Sequence, residues 1–221
     1  MRFVIAVAIL TICSSPALAQ QSSKDALARF GIKIVEPMSA KEVARTRSRV
    51  AKELARAGAT SFFEDISNQN GGQVRHTPSG LICPLGKKGQ SVLDASEQSA
   101  TCETEANGTV YRKNVVQAPT GTVLEAVALT ALANAEREPG YRPFSGLSVT
   151  GRPRAGSGLA EHRTLRYFSR AGSRERAVRV QVGIVRGWVL TDRRETNKDA
   201  GPNSMADLID EAMFGASMKQ N

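Results

Sequence analysis

From Ala177 to Leu190 the chain reads Ala-Val-Arg-Val-Gln-Val-Gly-Ile-Val-Arg-Gly-Trp-Val-Leu, with Val178, Val180, Val182 and Ile184 at every second position. A period of two puts these four side chains on one face of a strand, so the stretch must belong to a sheet with at least one dry face. Arg179 and Gln181 share the opposite face, which the alternation assigns to solvent. One unbroken strand would carry Arg186 onto the apolar face. The spacing therefore predicts a two-residue turn at Arg186-Gly187 and a return strand from Trp188 to Glu195.

Upstream, Leu159 to Ser169 reads as a strand and Ala171-Gly172-Ser173 as the turn into the valine-rich strand, which together make an antiparallel meander. Asn107-Gly108 between Thr101–Ala106 and Thr109–Gln117 is a hairpin signal. Val74 to Cys83 reads as one strand interrupted near Pro78, with Ser91 to Asp94 as a short return. Three amphipathic helices accompany these strands. The first opens at Ser39-Ala-Lys-Glu42, a capping box, stops at Gly58, and presents a thin stripe with Val43, Val50 and Leu54. Its basic remainder places it on the domain surface. The second opens at Thr122-Val-Leu-Glu125 and sets Leu124, Val127, Ala128, Ala131, Leu132 and Ala135 at helical spacing before Pro139-Gly140. The third places Met205, Leu208, Ile209, Ala212 and Met213 on one stripe. A further short helix is expected at Ser23 to Phe30.

The chain begins with a single charge, Arg2, an apolar run from Phe3 to Ile12 broken only by Thr11, and Ala17-Leu18-Ala19 before Gln20. That is the pattern of a secretory signal peptide over residues 1–19. The run falls short of the roughly 20 apolar residues a spanning helix needs, so no transmembrane segment is expected after cleavage. Lipidation at Cys13 is the alternative, but Ile12 stands where such signals want a small residue. The remainder reads as an N-terminal helical segment over 20–60 and a single α+β domain over 61–221. Its expected location is the periplasm or the exterior.

Once the signal is removed, two cysteines remain, Cys83 and Cys102. In an oxidising compartment an even count reads as a disulfide, and only one pairing exists. Without a C-x-x-C, a redox role has no motif.

Few constellations suggest chemistry. His76 and Ser79, in His-Thr-Pro-Ser-Gly, invite a nucleophile-and-base reading. No strand-turn-helix elbow surrounds Ser79, however, and no third orienting group can be named, so the bend-forming role of Pro78, Ser79 and Gly80 is the better reading. No catalytic residue is assigned; a small hydrolase using His76 and Ser79 is the alternative. His76 and His162 are far apart and both remaining cysteines are committed, so no metal site is expected. With no phosphate-binding loop of either common kind, no cofactor is expected either.

The charge is concentrated. The whole chain carries a formal net charge of +9, and the block from Arg152 to Arg194 holds 11 arginines and no lysine against three acids. Arginine presents a planar fork that matches phosphate or carboxylate in two-point contact. Arg163, Arg166, Arg174 and Arg179 are therefore the candidate anion-binding residues. The partners that fit are an anionic envelope component or another periplasmic protein. Nucleic acid would want more interleaved aromatics than Tyr167, Phe168 and Trp188 supply.

His76-Thr-Pro-Ser-Gly-Leu-Ile-Cys83, the later Cys102, Thr109-Val-Tyr-Arg112 and Gly187-Trp-Val-Leu-Thr-Asp-Arg193 resemble a pattern in uncharacterised secreted proteins of alphaproteobacteria. The resemblance covers roughly Phe63 onward. It implies a periplasmic setting, supports the disulfide, and brings no activity or binding residues. The element order is also similar to PsbP/Mog1-type sandwiches, a likeness of topology that implies nothing about function. The expected fold is α+β, a twisted antiparallel sheet covered by amphipathic helices. The expected role is non-enzymatic binding or scaffolding in the cell envelope.

Overall fold

A computed structural model of the protein describes residues 37–86, 91–106, 108–144, 150–151 and 161–197. The expected signal peptide, the helix at Ser23 to Phe30 and the helix around Met205 to Met213 lie outside the described residues.

Alternation becomes sheet as expected. Strand β9 (His162–Ala171), β10 (Arg174–Val185) and β11 (Trp188–Asn197) form an antiparallel meander. Val185 pairs with Trp188, so the β10–β11 loop is the two residues Arg186 and Gly187, both at positive φ, 52° and 79°. That is the primed hairpin turn whose twist suits flanking strands. Strands β5 (Ser99–Ala106) and β6 (Thr109–Gln117) pair as the other expected hairpin, although Asn107 at its turn lies outside the described residues. Strand β4 (Ser91–Ala95) pairs with β5. With the short β7 (Arg142–Pro143), these strands form an eight-stranded sheet in the order β4-β5-β6-β11-β10-β9-β7. The short β8 (Thr150–Gly151) also pairs with β9.

The segment read as one interrupted strand from Val74 to Cys83 is instead two. It divides into β2 (Gly72–His76) and β3 (Ile82–Leu85), joined by a turn, and a third strand, β1 (Phe63–Asp65), completes a separate small sheet. Gly80 at φ 74° lets the chain reverse there, and its N–H closes on the His76 carbonyl at 2.7 Å.

Helix α1 (Ala40–Arg56) opens with the expected capping box: the Ser39 N–H donates to Glu42 Oε2 at 2.8 Å, and the Glu42 N–H donates to Ser39 Oγ at 3.4 Å. Its thin stripe is enough to dock it. Val50 and Leu54 are buried with Phe63, Val74, Leu81 and Cys83 of the small-sheet region and with Cys102, Val115, Trp188 and Leu190 of the large sheet. Gly72 permits the approach, because a Cβ there would stand 3.1 Å from Thr46 Cγ2. A disulfide between Cys83 and Cys102, Cα atoms 5.9 Å apart, ties β3 to β5.

Helix α2 (Leu124–Glu136) covers the other face of the large sheet. Val127, Ala128, Ala131 and Ala135 pack over Leu165, Tyr167, Val178, Val180 and Val182. Its expected capping box does not form. Val123 is the N-cap and makes no side-chain bond, the Thr122 hydroxyl donates to the Pro119 carbonyl, and Glu125 is drawn away into a pair with Arg163. The fold is thus α+β: α2 lies on one face of the large antiparallel sheet, and the small sheet, with α1 docked on it, packs on the other. Among the described residues no helix is long and apolar enough to cross a membrane.

Candidate functional site

Cross-strand register decides where the arginines go. Arg163 opposes Val182 and so stands on the α2 face, where its Nε donates to Glu125 at 3.0 Å and its Nη1 to Glu161 at 3.2 Å. Arg166 opposes Arg179, which opposes Arg194, so these three form a row on the other face. Arg174 sits exposed at the β9–β10 turn. The structure therefore brings Arg166 and Arg179 together but not the four residues as one surface. Arg179 is 4% exposed and Gln181 fully buried, where the alternation assigned both to solvent.

His76 and Ser79 do meet. The Ser79 hydroxyl lies 2.8 Å from His76 Nδ1, and His76 Nε2 donates to the Ser96 carbonyl at 2.9 Å. Ser79 Oγ also accepts the Leu81 N–H at 3.2 Å. The rings of Phe63 and Trp188 enclose the imidazole, which is fully buried, and Ser79 is 2% exposed. A substrate has no route to this hydroxyl, and the group behind the histidine is a backbone carbonyl rather than a carboxylate. Burial lowers the His76 pKa below its usual value, against the opposing effect of the Ser96 bond. The pair holds the β2–β3 turn in place.

The site the sequence did not reveal is a cleft of about 530 Å³ between α2 and the large sheet. Its floor is Val116, Val180, Val182 and Val189, and its wall is the side of α2 carrying Ala126, Val127 and Ala131. The volume lies within the range of small-molecule sites, and so does the mixture of many apolar groups with a few polar ones. Val116 remains 46% exposed at its edge, and on the outside of α2 Leu129 is 66% exposed.

One end of the cleft is polar. Glu138, just past α2, receives Arg193 in two-point contact, its Oε2 accepting from Nη2 at 3.0 Å and its Oε1 from Nη1. The Tyr167 hydroxyl donates to Glu138 Oε1 at 2.7 Å and accepts from Arg193 Nη1 at 2.8 Å. Arg193 Nε reaches Glu195 at 2.8 Å, and Arg176 reaches the same carboxylate at 2.9 Å. Burial works against charge on Glu138 and on Glu195, but the arginine bonds outweigh it, and both carboxyls sit below their usual range. Burial also pushes the Tyr167 hydroxyl well up, so it stays neutral. The arrangement can hold a ligand's polar end beside a slot for its apolar part. Among the described residues no group of three metal-ligating side chains converges.

Sequence reading had no means of pairing Glu138 with Arg193, which are 55 residues apart. The legible signal was α2 itself: Leu-Glu-Ala-Val-Ala-Leu-Thr-Ala-Leu-Ala-Asn-Ala-Glu is apolar around much of its circumference, more than one buried stripe requires.

No protein-family model and no curated protein matches the chain. Among solved structures it is similar to LpqN of Mycobacterium tuberculosis, involved in cell envelope biogenesis, at 15% identity over 58% of this chain and 75% of that one, with a TM-score of 0.36. It is also similar to PA94 of Pseudomonas aeruginosa, a protein of unknown function and putative regulator, at 16% identity over 55% of this chain and 88% of that one, with a TM-score of 0.34. Likeness at this level leaves function to be read from the chain's own residues.

Proposed function

We propose that the chain is an exported, non-enzymatic binding module of the cell envelope and that its ligand site is the cleft between α2 and the large sheet. The observation that carries the reading is the cleft: a valine floor on the sheet, an alanine-rich wall on α2 and one charged end. Export is supported by the signal-like residues 1–19 and by the paired Cys83 and Cys102. The cleft takes the place of the arginine surface, because Arg163 and the Arg166–Arg179 pair occupy opposite faces.

The test is saturable binding of methyl cis-parinarate, a neutral single-chain polyene whose fluorescence rises in apolar surroundings, to the protein lacking residues 1–19. Wild type is expected to enhance its fluorescence with one-to-one stoichiometry. Ala131→Phe, which fills the cleft from its wall, is expected to abolish the enhancement while leaving the circular dichroism spectrum intact. Equal enhancement by both proteins, or none by wild type, overturns the reading. Export is tested separately, by N-terminal sequencing of periplasmic material. A first residue other than Gln20 argues against the signal.

A further inference from the structure

We infer that the cleft selects a slender, uncharged amphiphile: one aliphatic chain ending in a neutral hydrogen-bonding head such as a hydroxyl, ester or sugar. This rests on the cleft being the ligand site and adds the class of ligand.

The walls argue for a chain. The lining supplies β-branched valines from the sheet and alanines from the helix, and its one aromatic ring, Tyr167, is committed at the polar end. Nothing along the apolar run offers a face on which a flat ring could stack. Along β11 the lining runs from Val189 through Thr191 to Arg193, four residue steps and so about 13 Å of strand.

The polar end argues for a neutral head. Arg193 and Arg176 face Glu138 and Glu195, two cations against two anions, in a connected network. Tyr167 bridges Glu138 and Arg193 and carries no charge. A carboxylate or ammonium brought here would lose water without finding a spare counter-charge, a heavy cost in a half-buried site. A neutral head needs only hydrogen bonds. Asn134, four residues before Glu138, and Thr191, two before Arg193 on β11, also line the cleft, and their side chains make none among the described residues. They offer an amide and a hydroxyl at the mouth.

Four probes below their aggregation concentrations separate the outcomes, with binding followed by calorimetry and by shifts in the amide spectrum: monolauroylglycerol, laurate, dodecylammonium and 1-pyrenemethanol. Monolauroylglycerol is expected to bind about tenfold or more tighter than either ion, since burying one uncompensated charge costs well over the 1.4 kcal/mol that tenfold represents. It is also expected to shift Val116, Val189 and Tyr167. Laurate or dodecylammonium binding as tightly overturns the neutral head, and pyrenemethanol binding tighter overturns the single chain. In either case the cleft survives as a site. If none of the four binds, the cleft reading itself falls.

Two variants locate the head. Glu138→Gln leaves the network with an excess positive charge and is expected to narrow the preference against laurate to within about threefold. Thr191→Val, which keeps the shape, is expected to weaken monolauroylglycerol by about fivefold, the loss of one hydrogen bond. Unchanged selectivity in a folded Glu138→Gln protein, together with unchanged affinity in Thr191→Val, places the head elsewhere and overturns the inference.

Discussion

His76 sits fully buried between Phe63 and Trp188 with both ring nitrogens engaged, and that environment has a pH signature. Its folded pKa lies below the ordinary 6.5, so at mildly acidic pH the unfolded chain takes up a proton that the folded chain refuses. The stability this contributes is complete above pH 6.5 and is lost as pH falls through the folded value. Glu138 and Glu195, also lowered, act in the same direction below their usual 4.5. Urea midpoints measured from pH 8 to pH 5 should fall toward acid, and His76→Gln should flatten the portion just below 6.5 while costing about 1–3 kcal/mol at pH 8 through lost buried bonds. A curve of identical shape in the variant would exclude His76 as the titrating group. The pairing of His76 with Ser79 was legible three residues apart in sequence. Its burial was not, because burial comes from Phe63 and Trp188, which lie far from it along the chain. Gln181 makes the same point. Alternation correctly put it opposite the valines, yet parity says which residues share a face and not whether the face is wet. In the structure Gln181 is fully buried, and neither of its amide atoms finds a partner among the described residues.

The β10–β11 hairpin shows at the scale of an element how a local pattern can fix geometry. The face parity of Arg186 required a two-residue loop, and Val185 pairing with Trp188 delivers one. The register also places Arg186 in the left-handed region at φ 52°, which costs a residue with a Cβ roughly 1 kcal/mol or more. Asparagine tolerates that conformation, so Arg186→Asn should raise stability by about 0.5–1 kcal/mol, read as a higher urea midpoint at unchanged slope. Arg186→Val, β-branched at the same φ, should lower it. If both variants shift the midpoint equally, the turn geometry is not what the substitution acts on. Helix α2 is the opposite case: its sequence offered Thr122 and Glu125 as a capping box, but a tertiary contact claimed the carboxylate. Glu125 pairs with Arg163 across 38 residues, and the helix begins at an uncapped Val123. A local motif fails where a distant charge binds the same atoms better.

Across the whole molecule, the two faces of the large sheet are sealed to different degrees. On the α1 side a continuous cluster runs from Val50 and Leu54 through Phe63, Val74 and Leu81 to Val115, Trp188 and Leu190. The Cys83–Cys102 bridge closes an 18-residue loop there, which chain entropy values at about 3 kcal/mol. On the other side Ala135 alone among the α2 residues is buried, and the helix lacks a side-chain cap. Packing this unequal implies that α2 opens at lower free energy than the strands beneath it. Native-state hydrogen exchange should therefore find α2 amides less protected than those of β6, β10 and β11 by about 2 kcal/mol or more. A ligand seated between α2 and the sheet binds only the closed form, so at a hundredfold excess over its Kd it should raise α2 protection by up to about 2.7 kcal/mol. The sheet amides, which open only with the whole domain, should gain no more than α2 does. Equal protection of α2 and β10 without ligand would make the helix part of one cooperative unit, and the cleft a fixed cavity instead of a slot with a movable wall.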